Sequence, residues 1–111
     1  MTVAQLREFG ANVDEAMKRC LNNETFYLTL VGKALRDPSF ERLRDALEQG
    51  DLDRAFELAH SLKGVTGNLS LTPIYCALQE MTDLLRKKAE TDYSPYMETI
   101  LGKKKELEAL L

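Results

Sequence analysis

Apolar residues recur along this chain at helical spacing almost from end to end, with charged residues between them. That period lines them up on one side of a helix. No stretch alternates strictly enough to read as a strand. The breaks are well marked. Thr2 with Gln5 forms a capping box, and Gly10 can close the short helix it opens. Asn12 with Glu15 forms a second box, opening a segment with Val13, Met17, Cys20 and Leu21 on one side. Asn22-Asn23 interrupts it. The spacing then predicts a helix from about Glu24 to Arg36, with Phe26, Leu30 and Val31 among its apolar positions. Asp37-Pro38 ends that helix and starts the next, since aspartate caps and proline tolerates the first helical position.

Phe40, Leu43 and Leu47 give the next helix its stripe. Gly50-Asp51 closes it and caps another that runs to about Leu69. Thr72-Pro73 begins a helix with Ile74, Ala77, Leu78, Met81 and Leu85 at core spacing. Ser94-Pro95 begins the last, with Met97, Leu101, Leu107, Leu110 and Leu111 as apolar positions. Short connections between amphipathic helices favour antiparallel neighbours. The expected fold is all-α: an up-and-down four-helix bundle with short additional N-terminal helices. Residues 1–111 are expected to form one domain, a length that suits a single core.

A 44% hydrophobic and 30% charged composition excludes a disordered or membrane-embedded class. No apolar run reaches the roughly 18 residues of a membrane helix. The N-terminus lacks a basic start followed by an apolar stretch, so the expected compartment is the cytoplasm. A net charge of −3 argues against nucleic acid as the main partner. The clusters Arg86-Lys87-Lys88 and Lys103-Lys104-Lys105 read as solvated faces. Cys20 and Cys76 each lie in an apolar helical pattern and read as buried free thiols. No CxxC or HxxxH spacing supports a metal site, so none is expected.

The candidate chemistry lies in one helix. His60 is the single histidine of the chain. Leu58, Leu62, Val65 and Leu69 would face a core. Lys63, Gly64, Gly67 and Leu71 all fall within about 60° of His60 around the helix, on the opposite side. A neutral imidazole is a capable nucleophile near neutral pH. Lys63, one turn on, can stabilise a phosphoryl group on that ring, an effect on the order of 1 kcal/mol at an exposed site. Gly64 and Gly67 each cost about 1 kcal/mol relative to alanine within a helix, so each needs a reason. They clear the surface beside the imidazole for a partner, or they serve a tight helix crossing or an early helix end. A nucleophile, a cation and open space on one face point to a phosphoryl carrier.

The run Ala59-His60-Ser61-Leu62-Lys63-Gly64-Val65-Thr66-Gly67-Asn68-Leu69-Ser70 resembles the signature of histidine-containing phosphotransfer (HPt) domains, A-H-x-L-K-G-x-x-x-N-[LI]-G. The stretch Asn12 to Tyr27 is similar to the family's usual opening. Leu47-Glu48-Gln49-Gly50-Asp51 resembles its connection into the histidine helix, so the resemblance covers about residues 10 to 90. It implies a four-helix bundle whose histidine takes a phosphoryl group from one receiver-domain aspartate and gives it to another. By that resemblance His60 is the phospho-acceptor, Lys63 assists the phosphoryl group and Gly64 keeps the surface open. Ser70 departs from the family's usual glycine. Many members carry a glutamine on the following helix that contacts the phosphohistidine. An ungapped match puts Thr82 there, with Gln79 about one turn earlier, and the role stays unassigned between them.

The chain has no GxxxxGK[ST] loop and no distinct carboxylate pair, so it is read as a phosphoryl carrier without its own ATP-binding site, not an enzyme. No cofactor of its own is expected, and Mg²⁺ would come with the partner receiver. The expected partners are response-regulator receiver domains, with a sensor histidine kinase as a further candidate. Nothing demands more than a monomer. The competing readings are a non-catalytic helical interaction module that uses the same face, and the excised phospho-acceptor domain of a histidine kinase of chemotaxis or hybrid type.

Overall fold

The computed structural model describes residues 1–111 and is helical without strands. Seven helices follow one another: α1 (Val3–Phe9), α2 (Val13–Arg19), α3 (Glu24–Leu35), α4 (Ser39–Glu48), α5 (Leu52–Asn68), α6 (Thr72–Arg86) and α7 (Ser94–Glu108). Local chemistry sets most of these boundaries. Thr2 and Gln5 exchange both bonds of the capping box, and Gly10 ends α1 in the left-handed region at φ +109°. The side-chain oxygens of Asn12, Asn23 and Asp51 accept from the N–H groups of Glu15, Phe26 and Arg54, starting α2, α3 and α5. Asp37 accepts from the Ser39 N–H just ahead of α4.

Helices α4 to α7 form the bundle. The most extensive contact is between α5 and α6, and α4 packs on α5 and α7 on α6. Paired positions show α5 and α6 to be antiparallel. Asp53 meets Lys88, Phe56 meets Arg86 and Gly67 meets Tyr75, so numbers rise on one helix as they fall on the other. The ring closes where Lys104 of α7 pairs with Glu41 of α4 at 3.4 Å. The buried apolar side chains form one contiguous cluster from Leu6 to Leu107. Fully covered side chains such as Leu62, Ile74, Leu78 and Met81 lie in it, each contributing about 1.5–3 kcal/mol by leaving water. That burial holds helices which would be marginal alone.

The stripe expected on α6 is buried throughout. Elsewhere the helical phase differs from expectation. On α3 the buried face is Tyr27, Val31, Ala34 and Leu35, and Phe26, one residue off that face, is 49% exposed. Leu21 does not join the α2 stripe. The helix stops at Arg19, Leu21 and Asn22 reverse the chain at φ +53° and +58°, and the leucine side chain is left 88% exposed. Leu111 lies beyond the end of α7 and is 63% exposed. Lys104 is not part of a solvated face. Its side chain is only 8% exposed, bonded to Glu41 and Glu108, with its ammonium 5.5 Å from the centre of the Phe40 ring. Two carboxylates and an aromatic face make that burial tolerable.

Candidate functional site

The face of α5 that enters the core is Ala55, Ala59, Leu62 and Thr66. Leu58 and Val65 are half-buried, and Leu69 is buried just past the helix end. Thr66 is tolerated there because its hydroxyl donates back to the Leu62 carbonyl at 2.9 Å. With that stripe inside, His60 is exposed to solvent. His60, Lys63, Gly64, Gly67 and Asn68 line one open groove of about 620 Å³. Leu71 does not share this face. The helix ends at Asn68, so Leu71 turns inward as the residue before α6 and is buried.

The two glycines differ in what surrounds them. A Cβ at Gly64 would meet nothing in the chain within 4 Å. A Cβ at Gly67 would come within 3.1 Å of the Tyr75 ring. Gly67 therefore admits the close approach of α6, the helix-crossing reading of that glycine. No packing within the chain accounts for Gly64.

The end of α5 is held by the N-terminal helices. Arg19 Nη1 donates to the carbonyl oxygens of Gly67 (3.3 Å) and Asn68 (3.2 Å) and to Ser70 Oγ (3.0 Å). A guanidinium at a helix C-terminus satisfies orphan carbonyls and suits the dipole. Glu15 pairs with the same guanidinium. The Asn12 N–H donates to the Ser70 carbonyl at 2.9 Å. Tyr27, fully buried, donates its hydroxyl to the Leu69 carbonyl at 2.7 Å. Burial, with a smaller contribution from Cys20, pushes that phenol up to about 12. Ser70 sits at φ +54°, where glycine is least strained, and this gives the usual glycine there a physical reason.

The groove includes residues not anticipated as site residues, among them Ser70, Thr72 and Tyr75 at the turn into α6. Asn12, Glu15 and Arg19 form a wall beside the histidine helix. They lie some 40 or more positions away in sequence, and only the fold brings them in. Cys76 is the other correction. It is exposed and lines the same groove, because the core stripe of α6 passes through Ile74, Ala77 and Leu78 and leaves position 76 outside. Cys20 is a buried free thiol as expected.

Neither residue considered for the glutamine role lines the groove. Thr82 is fully buried, and its hydroxyl donates to the Leu78 carbonyl at 2.6 Å. Gln79 is exposed. Against the ring itself the structure places Phe56, whose centroid lies 5.7 Å from that of His60 with the planes 24° apart.

An Hpt domain family model matches residues 37–111. The match extends past residue 90 to the end of the chain and leaves out the opening at residues 10–36, where the resemblance had been extended. No curated protein matches the chain, and no solved structure does. No helix is long and apolar enough to cross a membrane. An all-helical bundle, a solvent-facing histidine in the A-H-x-L-K-G run and a match over more than half its length agree: the chain belongs to the Hpt domain family, whose members are phosphocarriers in two-component signalling.

Proposed function

We propose that His60 is the phospho-acceptor of a phosphorelay intermediate, carrying a phosphoryl group between receiver-domain aspartates. The observation that carries this reading is an exposed imidazole at an open groove, beside Lys63 and beside a glycine with empty space over it. Hpt domains generally interact with response-regulator receiver domains. The bare surface at Gly64 gives such a partner room to bring its aspartyl phosphate to the ring.

The in-plane lone pair of a ring nitrogen attacks the phosphorus of that acyl phosphate. An N–P bond forms as the P–O bond to the aspartate breaks, and the carboxylate leaves with the electron pair. The other ring nitrogen keeps its proton, so no further reactant is needed. The return step runs the same path from the carboxylate of the next receiver. Lys63, half-buried at the groove, supplies positive charge to the phosphoryl oxygens. Mg²⁺ and the activated phosphate come with the receiver, which keeps the carrier free of any cofactor. A carrier must release one receiver to reach the next, so the interface should be small and transient, with the carrier monomeric in the cytoplasm.

The test is transfer from a phosphorylated receiver to the chain and to the variant His60→Gln. The expected result is loss of labelling with an unchanged melting transition. Labelling of the variant at the wild-type rate would overturn the assignment, and binding of the receiver without any labelling would favour the interaction-module reading.

A further inference from the structure

We propose that Phe56 is a positioning residue for phosphotransfer at His60, an inference that rests on His60 being the phospho-acceptor. Helical side chains lean toward the N-terminus and lie over the residue one turn back. For His60 that residue is Phe56. The two rings stack at 5.7 Å and 24°, inside the range of about 4.5–7 Å at which aromatic pairs attract.

Phe56 is itself supported from both sides of the α5–α6 seam. Its ring is half-buried against the apolar cluster. The Arg86 guanidinium of α6 lies 5.7 Å from its centroid, a cation over an aromatic face. Arg86 is tied in turn to Asp83 at 3.0 Å. Support therefore runs from α6 through Phe56 to the imidazole.

The chemical consequence lies in the ring plane. The torsion that turns a histidine ring is broad, so an unsupported exposed imidazole samples many orientations. The attacking lone pair lies in the plane of the ring. A ring stacked on Phe56 covers one face and presents its nitrogen-bearing edge, which reduces the orientational freedom lost on reaching a near-attack geometry. The effect is assigned to the chemical step, since Phe56 lies outside the groove that holds His60, Lys63 and Gly64.

The test compares Phe56→Leu, which keeps an apolar side chain but removes the ring, with Phe56→Tyr, which restores it. The probe is a receiver domain loaded with acetyl phosphate and Mg²⁺, varied in concentration under single-turnover conditions. Phe56→Leu should lower the saturated transfer rate about three- to tenfold, the equivalent of one aromatic pair. The half-saturating receiver concentration should stay unchanged, and Phe56→Tyr should transfer as wild type. In the unphosphorylated protein, the carbon-bound ring protons of His60 should lose their ring-current shift in Phe56→Leu and recover it in Phe56→Tyr. The proposal fails if Phe56→Leu transfers at the wild-type saturated rate, if its loss lies wholly in half-saturation, or if Phe56→Tyr does not restore the rate. Failure of the His60 assignment itself would look different, as a wild-type chain that takes no label on His60, and the ring-proton comparison would still judge the stack.

Discussion

Two neighbouring stretches of α5 are built in opposite ways. From Gly67 to Ser70 other parts of the chain hold the backbone in place. Tyr75 covers Gly67, Arg19 holds the terminal carbonyls, Tyr27 bonds the Leu69 carbonyl and the Asn12 N–H meets Ser70. From His60 to Gly64 the outer face is bare, apart from the Phe56 stack behind the imidazole. The same residue type thus has opposite meanings one turn apart. Gly67 serves contact within the chain, and Gly64 makes no contact that a side chain would disturb. The side chains of Arg19 and Tyr27 that pin the helix end come from residues before position 37, where the family match begins. The N-terminal helices thereby fix the end of the histidine helix and leave its middle free.

The clamped end is the place for the largest effect. Tyr27→Phe leaves the buried Leu69 carbonyl without its donor and should cost about 2 kcal/mol. Transfer by the folded protein should not change. The variant should also alter the alkaline limb of stability. An unfolded tyrosine ionises near about 10, and the buried phenol near about 12. The unfolded chain therefore loses its proton first, so this contribution is full below the lower value and is lost as pH rises through the upper one. Melting temperatures from pH 9 to 12 should fall less steeply in Tyr27→Phe, the window being roughly that set by the two ionisations.

Gly64→Ala tests the bare stretch. Alanine should raise stability by about 0.5–1 kcal/mol and slow transfer from a receiver about tenfold or more, because the new methyl group holds the partner off. Gly67→Ala should raise stability less, since the Tyr75 ring must give way. Equal stabilisation with undiminished transfer in Gly64→Ala would remove the contrast. Lys63→Met should slow transfer about fivefold, a screened effect of about 1 kcal/mol, and added salt should narrow its difference from wild type. The smallest change should come from Ser70→Gly. Relief of the left-handed serine is partly offset by loss of its bond to Arg19, leaving a net gain of about 0.5 kcal/mol or less in thermal melts.

What could be read from the sequence follows the range of the interactions involved. Caps at Thr2, Asn12 and Asp51 act within four residues, so those helix starts were legible, and Asn23, read only as a break, caps α3. The α6 stripe was legible because all of its apolar positions share one face. Phase errors arose where a helix ended early or carried apolar residues on two faces. Leu71 was placed by extending α5 past Asn68, and Phe26 was preferred to the adjacent Tyr27. Cys76 was grouped with its apolar neighbours although it lies off their stripe. Lys104 looked like any lysine in a basic run, and only Glu41 and Phe40 of another helix explain its burial. At the site, the run from His60 to Asn68 was visible because one helix carries it. The wall of Asn12, Glu15 and Arg19 was not, since no local pattern links it to residue 60.

The most direct measurement is the chemistry and position of the bound phosphoryl group after rapid quenching from a phosphorylated receiver. The account predicts an acid-labile, alkali-stable phosphoramidate on His60, appearing as the receiver loses its acyl phosphate. A phosphoryl group on a hydroxyl or carboxylate, or none on His60 while the receiver is discharged into the chain, would contradict it.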